Sequence, residues 1–196
     1  NVITQGIKEI RANSIVYLNE EGKQRVEKVD AILFGTGFAV SDPIGPVKIS
    51  GRDGIDLREE LQRNGTEAYR GTTVHGFPNL FLLTGPNTGL GHNSMVYMIE
   101  SQINYVMDAL KKMHKRHILS VEPRKQIQDE YNQDLQARHK RNIWSVGGCK
   151  SWYLNEEGKN VTLWPGFTWQ FRRQTKNFDM AAYHCQLDDI ERVKLA

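Results

Sequence analysis

The alternation of apolar and polar positions near the start of the chain predicts short β-strands. Segments 6–10 and 14–18 are rich in β-branched and aromatic residues, and segment 25–29 alternates between apolar and polar residues. A polar turn at 19–22 separates the second and third segments. We therefore expect a small antiparallel β-meander here.

Two continuous apolar runs predict a different kind of strand. Segments 31–34 (AILF) and 80–83 (LFLL) contain no polar position, which is typical of strands buried on both faces of a parallel sheet. Glycine-containing segments follow both runs, at 35–37 and 85–91. Because ligands of open α/β sheets bind beyond the carboxyl ends of the strands, both glycine segments are candidates for a ligand site.

Apolar residues spaced three or four apart predict a long helix that begins near Asn93 or Ser94, both favourable N-cap residues. Its expected apolar positions are Val96, Ile99, Ile103, Val106, Met107, Leu110 and Met113. A short helix is expected at 57–62. A second long helix is expected to run to about Lys140, with Pro123 in its first turn. We expect this helix to be about half exposed.

Composition narrows the functional classes. The chain has 196 residues, of which 39% are hydrophobic and 25% charged, as in ordinary globular domains. A net charge of +3 is too small to attract nucleic acid, and we interpret the basic clusters at 111–117 and 139–141 as solvated helix ends. Cys149 and Cys185 form neither a disulfide framework nor a metal-site pattern, so we expect a cytoplasmic protein without a metal.

The chain begins in the middle of a pattern. It has no initiator methionine, no secretory signal and no apolar run of the ~20 residues that a membrane span needs. We therefore expect a piece of a longer protein. Expressed alone, it is expected to be poorly soluble or to oligomerise through exposed strand edges, and a homo-oligomer is left open.

The segment from strand to glycine-rich loop to helix offers chemistry. Such a loop presents backbone N–H groups and the positive end of a helix to an anionic or electron-rich ligand group. The loop at 85–91 matches neither G-x-G-x-x-G nor the P-loop pattern. From the residues alone, a cofactor contact and a plain turn both remain open.

Longer motifs resemble one enzyme family. Residues 30–38 (DAILFGTGF) are similar to the D-x-[IV]-x-[FY]-A-T-G-[FY] segment of flavin-dependent class B monooxygenases, with Gly35 in place of the usual alanine. Residues 78–94 (PNLFLLTGPNTGLGHNS) resemble the FAD-contacting strand, loop and helix start of Baeyer–Villiger enzymes. Residues 144–148, 151–153 and 163–167 resemble the C-terminal tail of the same enzymes.

The resemblance implies an α/β fold, namely the C-terminal fragment of a two-dinucleotide-binding-domain, Rossmann-like flavoprotein. Residues 1–41 would then end the NADP-binding domain or its linker strands, residues 42–141 would belong to the FAD-binding domain, and residues 142–196 would form a tail near the active site. It also implies seven cofactor-binding residues: Thr36, Gly37, Gly85, Asn93, Ser94, Met95 and Trp152. Asn93, Ser94 and Met95 would lie against the isoalloxazine, and Trp152 would close over NADP, although Met95 and Trp152 also fit ordinary packing roles.

The implied activity is a Baeyer–Villiger oxidation, in which FAD, NADPH and O2 serve to insert one oxygen atom into a ketone and give an ester or lactone. The dinucleotide fingerprints and the active-site arginine of the family would lie in a missing N-terminal part, so no catalytic residue is assigned and the fragment is not expected to be active alone. The alternatives are a flavin enzyme that oxidises nitrogen or sulfur, and a non-catalytic binding remnant of the fold.

Overall fold

The computed structural model describes residues 2–35, 47–147, 151–155 and 157–187. The chain divides into two compact units, residues 1–38 and 39–196. The expected division into residues 1–41, 42–141 and 142–196 stays a prediction. Within the described residues, the helices are all too short or too polar to cross a membrane.

The first unit contains a three-stranded antiparallel sheet with strand order β1-β2-β3. Its strands are Ile7–Arg11, Ser14–Leu18 and Gln24–Lys28. Val16 at the centre of β2 is fully buried and lies opposite Val26 of β3. The predicted meander is therefore confirmed, with the first and third strands each displaced by one residue.

The second unit carries the remaining elements. Among its described residues these are α1 (Leu57–Arg63), α2 (Met95–Lys115), β4 (Ile118–Pro123), α3 (Lys125–His139), α4 (Ile143–Val146), α5 (Thr168–Gln174) and β5 (Tyr183–Leu187). Strands β4 and β5 pair antiparallel. The side of α2 that carries Tyr105 and Ala109 packs with Val121 of β4 and Tyr183 of β5 in one buried cluster. This packing fixes the position of the long helix.

The helix predictions hold at α1 and α2 but fail at Pro123. Ser94 is the N-cap of α2, as expected, and its hydroxyl accepts a hydrogen bond from the N–H of Tyr97. Pro123 does not begin α3, because it is the last residue of β4 and lies opposite Tyr183 in the ladder. A proline without an N–H group is tolerated at such a strand end.

Both predicted parallel strands are wrong. Residues 31–35 and 80–83 are irregular, and Leu33 and Phe34 are 95% and 72% exposed. In the second run, the N–H of Leu82 bonds to the carbonyl of Thr72, while the N–H of Leu80 bonds to the nearby carbonyl of Phe77. A strand of a parallel sheet needs a continuous ladder to a neighbour, and the described residues offer none to either run.

The apolar stripe expected to be the buried face of α2 is largely exposed. Val96 is 63% exposed, and Ile103, Met107 and Leu110 are each more than 40% exposed. The buried residues of α2 are Met98, Ser101, Gln102, Tyr105, Ala109 and Met113, of which only Met113 belongs to the expected stripe. Within the described chain, α2 thus has two apolar sides, and the side with the cleaner periodicity is uncovered.

We expect the isolated chain to self-associate through this uncovered side, since exposed apolar patches promote association. The double variant Ile103→Glu, Leu110→Glu should be more monomeric than the parent chain in sedimentation velocity. A control that adds the same two charges on α3, Gln126→Glu with Gln133→Glu, should leave the association unchanged. Equal effects of the two double variants would contradict the prediction.

Candidate functional site

The candidate site is built around the glycine-rich loop 85–91 and the start of α2. Gly85 is half-buried at the beginning of the loop, Asn93 and Ser94 are exposed at its end, and Met95 is partly exposed in the first turn of α2. Of the other three predicted residues, Thr36 and Gly37 lie outside the described residues, and Trp152 is described.

Residues 160–164 hold the outer part of the loop in place. The N–H of Gly89 donates to the carbonyl of Thr162 at 2.8 Å, and the N–H of Trp164 donates back to Gly89 at 2.9 Å. The buried side-chain amide of Asn87 donates to the carbonyls of Asn160 and Leu163 at 2.8 and 3.0 Å. The loop is therefore a fixed element and not a freely moving turn.

Gln102 on α2 holds the base of the loop. Its side chain is fully buried, and its Nε2 donates to the carbonyls of Gly71 and Leu82 at 2.9 and 3.3 Å. Its Oε1 accepts the N–H of Thr84 at 2.9 Å. This role was hard to foresee, because a glutamine in a helix usually faces solvent. Its position between Met98 and Tyr105 on one helix face was the available signal.

Loop glycines serve close packing within the chain. A Cβ at Gly85 would overlap the carbonyl oxygen of Gly71, and a Cβ at Gly89 would lie 2.8 Å from that of Thr162. Gly71 itself has φ +59°, a conformation that L side chains rarely adopt, and a Cβ there would overlap Thr88. These glycines let three chain segments meet beneath the start of α2.

The N-terminus of α2 is open. The Oδ1 of Asn93 accepts a hydrogen bond from the N–H of Ser94 at 2.7 Å. The hydroxyl of Ser94 accepts one from the N–H of Tyr97. The first turn carries no acidic residue that would neutralise the positive end of the helix dipole. This end, at an exposed loop, is thus available to an anionic or electron-rich group.

An aromatic row connects Trp152 to the loop. The Trp152 and Tyr153 rings have centroids 5.5 Å apart, and the Tyr153 ring meets Trp144 edge-on at 5.6 Å. Trp144 in turn lies against Gly91, where a Cβ would come within 3.2 Å of its ring. Two parts of the predicted site that are about sixty residues apart in sequence are thereby brought together. Trp152 itself is 53% exposed.

A cavity of about 340 Å³ opens beside this row. Gly91, His92 and Trp144 form its loop side, and Trp164 and Phe167 form part of the opposite wall. Its aromatic lining and its position next to the start of α2 are the features of a small-molecule pocket. Neither the cavity nor the contribution of Trp164 was readable from sequence, because both depend on long-range packing.

His139 lies beneath the loop and is a structural residue. It is buried, and its Nε2 hydrogen-bonds to the carbonyl of Leu163 at 3.0 Å, while Nδ1 has no partner among the described residues. Burial lowers the pKa of His139 from 6.5 to about 4, against the opposing effect of its bond to Leu163. The imidazole is therefore neutral at pH 7.

Acidification should destabilise the second unit through His139. Since the unfolded-state pKa is 6.5 and the folded-state pKa about 4, the unfolded chain takes up the proton first. The free energy of unfolding therefore falls by up to about 3 kcal/mol as the pH drops from 6.5 towards 4. Urea midpoints measured between pH 7 and 4 should fall less steeply in His139→Gln than in the parent. The exposed-site control His114→Gln should retain the parent's slope, and identical slopes in all three would contradict the prediction.

Comparison with known proteins gives these features a context. No protein-family model matches the chain. A Baeyer-Villiger monooxygenase of Pseudomonas aeruginosa is 59% identical over 184 residues, and one of Streptomyces coelicolor is 42% identical over 187 residues. Each alignment covers 93% of this chain and 34% of the relative. The chain is homologous to Baeyer–Villiger monooxygenases.

Solved structures show the same fold. The crystal structure of cyclohexanone monooxygenase from Rhodococcus sp. Phi1 bound to NADP+ matches 94% of this chain with a TM-score of 0.71, at 20% identity and over 34% of its own length. The structure of the OTEMO complex with FAD and NADP matches 92% of this chain with a TM-score of 0.67, at 18% identity and over 33% of its own length. The predicted α/β fold and the resemblance to the C-terminal portion of these monooxygenases are confirmed. The chain spans about a third of the length of the relatives it matches.

Proposed function

We propose that the chain forms part of an FAD- and NADPH-dependent monooxygenase that inserts one oxygen atom of O2 into a ketone to give an ester or lactone. The observation that carries the proposal is the open N-terminus of α2 at the end of a loop fixed from two sides. Homology to Baeyer-Villiger monooxygenases supports the reaction type. The rest of the same enzyme, as the expected N-terminal part, is its main partner.

The residues at the start of α2 fit a flavin. A reduced isoalloxazine carries negative charge on its pyrimidine edge, and helix N-termini stabilise such charge by about 0.3–2 kcal/mol. Asn93 and Ser94 leave this end of α2 exposed, and the first turn has no competing carboxylate. When bound there, the flavin would supply the activation of O2 for oxygen transfer. Asn93, Ser94 and Met95 would orient the ring, and the tie between Gln102 and Thr84 would hold the loop against it.

Gly85 has a supporting role in this proposal. Its close approach to Gly71 fixes the position of the glycine-rich loop, so that the cofactor would bind to a preformed surface. The aromatic side chains that line the cavity between Gly91 and Trp164 would shield the reacting centre from water. Thr36 and Gly37 remain assigned to the junction of the two nucleotide sites by resemblance.

The activity test uses the full-length protein. Purified protein should show flavin absorbance and, with NADPH and ¹⁸O2, should convert a panel of ketones into esters that each contain one labelled oxygen. Oxidation of amines or sulfides without any ester would favour a nitrogen- or sulfur-oxidising enzyme. A protein that binds no flavin would be the non-catalytic remnant and would contradict the proposal.

We predict that Trp152 contributes to NADP binding. In the full-length protein, Trp152→Ala should weaken NADP binding about tenfold, because one exposed aromatic anchor contributes on the order of 1–2 kcal/mol. Isothermal titration calorimetry would measure the affinity, with flavin content as the check on folding. Trp169 is 54% exposed against 53% for Trp152, so Trp169→Ala is a matched control that should bind NADP normally. Equal losses in the two variants would contradict the prediction.

A further inference from the structure

A second concave surface, here called the basic cleft, adjoins the cavity lined by Trp144 and Trp164, and Arg138 and Gln170 line both. It has a volume of about 590 Å³. Its polar lining includes Arg70, Arg138, Gln170, Arg173 and Gln174. The lining thus contains three guanidinium groups and three side-chain amides, counting Asn177, but no carboxylate.

Arg70 already has its partners. Its guanidinium donates to Asp179 at 3.0 Å and to the backbone carbonyl of Gln174. With only 16% of its side chain exposed, Arg70 is a fixed part of the floor. Since Asp179 balances its charge, the net positive charge of the cleft comes from the other two arginines.

Arg138 is held in position without a carboxylate. Its guanidinium carbon lies 4.8 Å from the centroid of the Trp164 ring, a cation–π contact. Gly166 packs so closely against the same group that a Cβ there would overlap the Arg138 guanidinium. Among the described side chains, no acidic group forms an ion pair with Arg138. A partly buried arginine that is oriented but unpaired is costly unless something else neutralises it.

Arg173 and two glutamines complete the donor set. Arg173 is exposed at the end of α5, and no carboxylate pairs with it in the part of the chain that the structure describes. The Oε1 of Gln170 accepts the N–H of Phe167 at 3.1 Å, which leaves the Gln170 NH2 group as a donor. Gln174 offers a further side-chain amide on the same wall.

We propose that the basic cleft binds the oxyanion of a small-molecule ligand, a phosphate or a carboxylate group, between Arg138 and Arg173. The planar fork of a guanidinium matches the geometry of both oxyanions. A volume of about 590 Å³ lies in the usual range of small-molecule sites and exceeds the size of the anion alone. This site is distinct from the proposed flavin site at the start of α2.

Isothermal titration calorimetry of the full-length protein tests the proposal, with inorganic phosphate and acetate as separate probes. One of them should bind saturably at one site per chain, and the stronger probe identifies the ligand as a phosphate or a carboxylate compound. Arg173→Gln should weaken this binding about tenfold, because the anion would lose the charge-assisted hydrogen bonds of the guanidinium. Arg138→Lys, which keeps the charge but loses the fork, should weaken it as well.

The controls separate a built site from general charge. Lys176→Gln removes an exposed cation just after α5 that does not line the cleft, and it should leave the affinity unchanged. Saturation with NADP should not displace the probe. The proposal is overturned if neither probe saturates, if all three variants behave alike, or if NADP competes with the bound anion. Circular dichroism of each variant confirms that a loss of binding is not a loss of fold.

Discussion

The variant Asp179→Ala is expected to lower the free energy of unfolding of the second unit by about 3 kcal/mol. Asp179 accepts hydrogen bonds from the Tyr69 hydroxyl at 2.5 Å, the Tyr105 hydroxyl at 2.6 Å and the Arg70 guanidinium at 3.0 Å. Removal of one partner from a largely buried ion pair costs about 3–5 kcal/mol. We expect the lower end of that range because a third of the Asp179 side chain is exposed, at 33%.

This network joins distant parts of the second unit. Tyr105 lies on α2, Tyr69 and Arg70 precede the loop, and Asp179 precedes β5. The Tyr105 hydroxyl also lies 3.0 Å from that of Tyr183 on β5. Loss of the carboxylate would therefore remove the acceptor that Tyr69, Arg70 and Tyr105 share.

Urea denaturation of the chain, followed by tryptophan fluorescence, measures the effect, because the four tryptophans all lie in the second unit. Asp179→Asn should fall between the parent and the alanine variant, since it keeps one acceptor oxygen. Asp129→Ala removes a carboxylate from an exposed pair with Lys125 and should change stability by about 0.5 kcal/mol or less. A similar, small loss in both alanine variants would show that the Asp179 network contributes little.

The second large effect is expected for Gly71→Ala, a loss of about 3–4 kcal/mol. The new Cβ would overlap the buried Thr88 side chain and lie 2.6 Å from the carbonyl oxygen of Pro86. Overpacking of this kind costs about 1–3 kcal/mol, and the positive φ adds about 1–3 kcal/mol more. Because the displaced residues belong to the glycine-rich loop, the full-length variant should also bind flavin more weakly.

Gly76→Ala is the matched control for Gly71→Ala. Gly76 has φ +84°, but a Cβ there would have no neighbour within 4 Å. It should therefore show the conformational cost alone, about 1 kcal/mol, with normal flavin binding. If the two variants unfold at the same urea concentration, the close contact between Gly71 and the loop does not contribute to stability.

Local patterns predicted the elements that local forces determine. The β-branched and aromatic residues of 14–18 and the alternation in 25–29 predicted the meander, and Ser94 before an apolar periodic segment predicted the start of α2 within one residue. These signals succeed because strand alternation and N-capping depend on neighbours in sequence. The motifs of residues 78–94 also pointed to the monooxygenases to which the chain is similar, through resemblance rather than physics.

Partners distant in sequence decided the rest. The apolar run at 80–83 indicated burial, but whether such a run becomes a strand depends on a neighbouring strand that its own residues do not encode. The periodicity of α2 predicted a helix, yet the described chain covers the side with Gln102 and Tyr105 and leaves Ile103 exposed. Polar contacts such as that of His139 with Leu163 carry no local signature at all.

A crystal structure of the full-length protein with FAD would test the central claim most directly. We expect the pyrimidine edge of the isoalloxazine to lie at hydrogen-bonding distance, about 3 Å, from backbone N–H groups at the start of α2. Side chains of Asn93, Ser94 and Met95 should then flank the ring. A flavin bound elsewhere, with its ring remote from residues 92–95, would contradict the account.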